Sequence, residues 1–156
     1  MYMKSTIEKF YSSFANIDSE RMNACYHPDV VFEDPAFGVL KGDRARLMWS
    51  MLCASQKDET FEVTYSNIKS DNSTGSAIWE AKYSFGKSGR KVHNIVTAQF
   101  EFDGDKIIKH TDDFDLYKWS KQAMGFQGFL FGWTNIFKKQ LNLRTNKLLD
   151  KFEKIK

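Results

Sequence analysis

The stretch SAIWEAKYSFGKSGRKVHNIVTAQFEFDGDKIIKHTDDFDLY, residues 76–117, decides the fold. Its apolar residues recur at every second position. Trp79, Ala81, Tyr83 and Phe85 alternate with Glu80, Lys82 and Ser84, and Val96, Ala98, Phe100 and Phe102 alternate with Thr97, Gln99 and Glu101. Successive side chains of a strand point to opposite faces, so this period marks strands with one buried face. GKSGR (86–90) and DGDK (103–106) are turns by composition. The last segment carries Ile108, His110, Asp112, Phe114 and Leu116 on one face. Upstream, TFEVTYSNI (60–68) alternates Phe61, Val63 and Tyr65 in the same way, and DNSTG (71–75) supplies the turn. The pattern predicts a four-stranded antiparallel meander. Trp79, Ala81, Tyr83, Val96, Ala98, Phe100, His110, Asp112 and Phe114 should share the covered face.

Outward from this meander the period changes. Ile7, Phe10, Phe14 and Ile17 recur at helical spacing. Asp18 can cap a short second helix, with Met22, Cys25 and Tyr26 turned inward. HPD (27–29) turns the chain into a short strand over 30–34, within VVFEDPAFG (30–38). Gly42 and Asp43 open a third helix whose apolar side carries Leu47, Met48, Met51 and Leu52. A helical remainder starts near Trp119. The order is an α+β layout in which helices cover one face of a curved sheet. Such a sheet leaves a concave apolar space, the default place for a small ligand. A chain of 156 residues suits one core, and its 14 Phe, 6 Tyr and 4 Trp suit a ring-filled core or a ring-lined hollow.

The net charge of +3 is unevenly spread. Residues 118–156 hold nine Lys or Arg against Asp150 and Glu153, a net of +7, which leaves the first 117 residues at −4. In GFQGFLFGWTNIFKKQLNLRTNKLLDKFEKIK (125–156) an aromatic knot of Phe126, Phe129, Leu130, Phe131 and Trp133 sits among glycines. After it, Ile136, Phe137, Leu141, Leu148, Leu149 and Phe152 lie broadly on one helical face and lysines on the other. An interfacial membrane helix has this composition, but a helix packed on its own domain or on a second copy is the expectation. Neither nucleic acid nor a membrane surface is expected as a partner.

No apolar run approaches the roughly 18 residues of a spanning helix. MYMKSTIEKF (1–10) lacks the apolar stretch of an export signal. Cys25 and Cys53 show no metal-ligand spacing and read as reduced core thiols, so a cytoplasmic protein is expected. His27, His93 and His110 do not converge in the pattern, and no phosphate loop or nucleophile triad stands out. Neither a metal nor a cofactor is expected.

FYSSFANIDSERMNACYHPDVVFEDPAFGVLKG (10–42) resembles the opening of the nuclear-transport-factor-2-like superfamily in its SnoaL-like branch. GDKIIKHTDDFDLYKWSKQAMG (104–125) resembles that family's last strand and the start of its closing helix. The resemblance implies a cone-shaped half-barrel, a curved antiparallel sheet wrapped around N-terminal helices. The cone domain would span 1–125, with 126–156 a C-terminal helical extension packed on it. It also implies a small-molecule ligand and a homodimer, for which the outer sheet face offers Ile95, Thr97, Gln99 and Ile107. Asp34 matches the base of the ketosteroid isomerases. The positions of their two oxyanion donors fall at Phe10 and Ala98. Tyr11 is next door, but one helical residue rotates a side chain by about 100°, so it should point elsewhere. Steroid-type isomerisation is therefore not expected. Asp112 matches one aspartate of the limonene-epoxide hydrolases, whose Arg and second Asp fall near Trp79 and Ala81. In the polyketide cyclases the acid–base aspartate matches either Asp112 or Asp115.

Asp34, His110 and Asp112 are the candidate catalytic residues. Phe14, Phe32, Trp49, Tyr65, Trp79, Tyr83, Ala98 and Phe114 are the candidates to line a ligand. Asp34 shares a face with Phe32 and could be a base in the cavity, or a strand-end acceptor of backbone N–H groups before Pro35. His110 and Asp112, two apart on one apolar face, suit proton transfer near neutral pH, or a polar pair that fixes packing. Two functions follow. One is a binder of a small apolar molecule, with acid–base catalysis in the cone. The other is a non-catalytic dimeric module whose basic amphipathic C-terminal helix engages a partner or a membrane surface.

Overall fold

Ile7, Phe10, Tyr11 and Phe14 fall at i, i+3, i+4 and i+7, and helix α1 (Tyr2–Ala15) buries all four. It opens the computed structural model, which describes residues 2–56 and 60–156. Helix α2 (Ser19–Asn23) follows, with the Asp18 carboxylate accepting the Arg21 N–H at 3.0 Å. Strands β1 (Tyr26–Asp34) and β2 (Gly38–Lys41) form a hairpin, and α3 (Asp43–Ala54) runs back across the sheet. The start of α3 needs a glycine: Gly42 has φ +55°, and a Cβ there would stand 3.3 Å from the Pro28 carbonyl oxygen. The meander is β3 (Glu62–Ser70), β4 (Thr74–Phe85), β5 (Arg90–Asp103) and β6 (Lys106–Asp113). Helices α4 (Leu116–Met124), α5 (Phe126–Phe131) and α6 (Asn135–Ile155) close the chain.

The sheet order is β2-β1-β6-β5-β4-β3, with β1 and β6 parallel and every other pair antiparallel. The predicted alternation holds. Trp79, Ala81, Val96, Ala98, Phe100, His110 and Asp112 are buried, Tyr83 and Phe114 partly so, and Lys82 is exposed. The result is the expected α+β cone, a curved and unclosed sheet around N-terminal helices.

Three local expectations are corrected. The strand expected over 30–34 starts at Tyr26, so HPD lies within it. Pro28 falls where the β1–β6 register shifts, between Tyr26 and Val31, so its missing N–H removes no ladder bond. The edge strand β2 was not foreseen, because its four residues carry too short a pattern. Ile107, expected on the outer face, is fully buried, and Ile108 is only partly so. Glu101 pairs with Lys109 but Phe102 with Ile107, so one extra residue bulges and flips the face.

The C-terminal helices cover the far end of the concave face. Trp119, Ala123 and Leu141 pack on Val92, and Leu149 reaches the main core. Helix α6 also grips the β1–β2 turn. Asn142 Nδ2 donates to the Pro35 and Ala36 carbonyls at 2.9 and 3.0 Å, and Asn146 Nδ2 to the Phe37 carbonyl at 3.0 Å. Among the described residues no helix is long and apolar enough to cross a membrane.

Candidate functional site

The parallel β1–β6 pair places Phe32 opposite His110 and Glu33 opposite Thr111. One residue further, Asp34 stands level with Asp112, on strands about 4.8 Å apart. Period-two alternation brings both carboxylates to the concave face. The register thus sets Asp34 on the strand beside His110 and Asp112.

His110 and Asp112 belong to a row of polar side chains inside the ring-filled core. His110 Nε2 lies 2.8 Å from Asp112 Oδ1, and His110 Nδ1 lies 2.7 Å from the Tyr26 hydroxyl. That hydroxyl accepts the Trp49 indole N–H at 2.8 Å, and Asp112 Oδ1 accepts the Trp79 indole N–H at 3.3 Å. Both indoles can only donate. The Tyr26 hydrogen is thus aimed at Nδ1, which assigns the N–H of a neutral imidazole to Nε2, donating to Asp112. A doubly protonated ring would leave the Tyr26 hydrogen without an acceptor. Rings of Phe10, Phe32, Trp49 and Phe100 surround His110 at 4.5–6.0 Å between centroids.

Of the two roles considered for Asp34, the contacts show the strand-end acceptor. Its Oδ1 accepts the Ala36 and Phe37 N–H groups at 3.0 and 2.7 Å, so it does hold the turn. Burial, with the charge of Asp112 adding to it, nevertheless raises its pKa to about 7. Burial also pushes the Tyr83 hydroxyl up to about 12, against the Trp119 indole N–H that it accepts at 2.8 Å.

The lining candidates divide by position. Phe14, Phe32, Trp49, Trp79 and Ala98 are buried around the polar row, and Ala98 pairs with Asp112 across the ladder. Tyr65 stands at the rim, 37% exposed, its ring stacked on Tyr11 at 5.9 Å. It belongs to the edge strand β3 and pairs with Trp79, just before a bulge where Asn67 has φ +52°. Tyr83 and Phe114 lie at the other end, between the main core and the C-terminal helices.

Tyr11 corrects the expectation that it points away. It is fully buried, and its hydroxyl is one of two buried side-chain polar atoms among the described residues with no hydrogen-bond partner; the other is Asn23 Oδ1. Burial first, then Asp112 and Tyr26, push its pKa well above the ordinary value. A helix lying in a concave sheet buries a stripe broader than 100°, so Phe10 and Tyr11 both face in. Tyr26 was read as inward but without its hydroxyl's role. Among the described residues no group of three or more metal-ligating side chains converges.

The SnoaL-like domain family matches residues 7–110. No functionally curated protein matches the chain. Among solved structures, TerC co-crystallised with polyporic acid superposes with a TM-score of 0.67 at 14% identity, over 79% of this chain and 98% of that one. An LEH-like epoxide hydrolase of M. tuberculosis gives 0.64 at 24% identity, over 83% and 92%. A protein with a ketosteroid isomerase-like fold from Catenulispora acidiphila, in complex with trimethylamine, gives 0.62 at 13%, over 76% and 91%. These similarities carry the fold. With two thirds of its length matched by the family, through α1, the β1–β2 hairpin and the meander as far as His110, the chain belongs to the SnoaL-like domain family.

Proposed function

We propose that the cone binds a small, largely apolar molecule bearing an oxygen, and that Asp112 moves a proton on it. The observation that supports this most is the buried Tyr11 hydroxyl, left without a partner in the core that holds the hydrogen-bonded row of Trp49, Tyr26 and His110. A buried donor without an acceptor costs about 1–3 kcal/mol. A ligand oxygen beside Tyr11 would remove that penalty. Asp112 Oδ2 accepts no bond from the described residues and is free to act as the base, while His110 and Trp79 hold Oδ1. The proton taken from the ligand returns to another of its atoms, with Tyr11 holding the oxygen on which charge develops. Tyr65, at the rim and stacked on Tyr11, is the ring that must swing to admit the ligand. Native mass spectrometry of protein purified from cells tests the reading. A small adduct should accompany the wild type and be lost from Tyr11→Phe. An adduct retained by Tyr11→Phe, or none in either protein, would overturn it.

A second reading is a dimeric module without catalysis. The outer sheet face favours it: Ile95 is 48% exposed, and Thr97 and Gln99 beside it are exposed. A second copy of the chain is the occupant this face suits.

A further inference from the structure

Helix α5 turns its rings away from the protein. Phe126 is 74% exposed and Trp133, just beyond the helix, 68%, and Phe129 and Phe131 are more than half exposed. The cause lies in its glycines. Gly128 and Gly132 face α4, and a Cβ on either would collide with Ser120. Only the bare backbone approaches that closely, so every large side chain of FQGFLF must lie outside the contact.

Helix α6 continues the same surface. Ile136, Leu143 and Lys147 follow at i, i+7 and i+11 and so share a face, opposite Leu141 and Leu149. A groove of about 630 Å³ joins the two helices, lined by Phe131, Phe137 and Leu143 together with Arg144 and Lys147. Apolar and basic groups thus occupy one surface. Among the described residues no lysine or arginine of α6 forms an ion pair. Of the two acids on this helix, Asp150 is engaged by Arg44 at 2.8 Å, which leaves Glu153.

We infer that this surface docks on a lipid bilayer bearing anionic headgroups, with the rings of α5 and Trp133 at the interface and Arg144 and Lys147 against the phosphates. Charge complementarity selects the occupant. The segment from Lys118 onward carries +7, so a second copy placed on the same patch would set like charges against each other. An anionic surface attracts basic residues and accepts aromatic rings at headgroup depth. Packing on its own domain, one of the two arrangements expected for this helix, accounts for one face of α6 and leaves α5 and the opposite face bare.

Co-sedimentation of the full chain with phosphatidylcholine vesicles, with and without phosphatidylserine, tests this. Binding should require phosphatidylserine and fall with added salt. Because Trp49, Trp79 and Trp119 are buried, a blue shift of emission on binding would report Trp133. Replacing Arg144 and Lys147 by Gln should lower the partition coefficient about fivefold for each charge removed. Phe129→Ser with Trp133→Ser should abolish binding and leave the circular dichroism unchanged. No phosphatidylserine-dependent binding would overturn the inference. So would a wild-type dimer that ignores vesicles and dissociates when Trp133 is replaced, since a second copy would then own the patch.

Discussion

Tyr11 carries a hydroxyl that stabilises nothing in the folded chain. Removing it should help the ligand-free protein: Tyr11→Phe should raise stability by about 1 kcal/mol in urea denaturation, while weakening whatever the cone binds. Tyr26 is the opposite case. Tyr26→Phe would strand the Trp49 N–H and leave His110 Nδ1 without its donor, at a cost of about 2–4 kcal/mol by the same measurement. Asp34 gives a pH dependence. Its pKa is about 7 when folded and near the ordinary carboxyl value when unfolded, so the protonated form is favoured by folding. That contribution is complete below about pH 4 and disappears as the pH rises through about 7. Asp34→Asn should therefore flatten the fall in melting temperature between those limits and gain roughly 2 kcal/mol at pH 8, less than the full shift implies because the side chain is partly exposed. Unchanged melting curves for the two proteins would sink this account. Alternation alone was enough to bring Asp34, His110 and Asp112 to one face. Tyr26 escaped because its hydroxyl meets an imidazole 84 residues away, and no local pattern encodes such a pairing.

At the scale of elements, two contacts decide how the C-terminal helices sit. Gly128→Ala would place a methyl on the Ser120 carbonyl and force α4 and α5 apart. An expected loss of about 1–3 kcal/mol can be read from denaturant curves. Asn142→Ala would release the Pro35 and Ala36 carbonyls at the tip of the β1–β2 hairpin. The meander was legible because long strands with one covered face repeat their signal many times. The edge strand β2 and the flip at Ile107 were not. The first is held by backbone pairing to β1, and the second by a single inserted residue whose position the side chains of IIKH do not mark. Tyr11 was misplaced for a related reason: the width of a helix's buried stripe is set by the curvature of the sheet beneath it, which the helix sequence does not contain.

For the whole molecule, the exposed outer face makes association the property to measure. Ile95→Glu should move a sedimenting dimer to monomer without changing the fold, because that side chain stands on the free side of β5. A wild type that is already monomeric at micromolar concentration would remove the dimeric reading. The parallel pairing of β1 with β6 has a different consequence, in the order of synthesis. Tyr26 on β1 is matched to Ile107, and Asn142 on α6 to Pro35, so β1 gains its second neighbour, and the hairpin turn its clasp, only from residues made late. A ribosome that has delivered α1, the first hairpin and α3 has produced an apolar layer with no sheet to receive it. Contacts this distant in sequence slow folding, because the loop between them must close before they yield any stabilisation. Phe14 can meet Phe61 and Trp79 as soon as β3 and β4 are made, whereas the imidazole on which Phe10, Phe32 and Trp49 pack arrives only with β6.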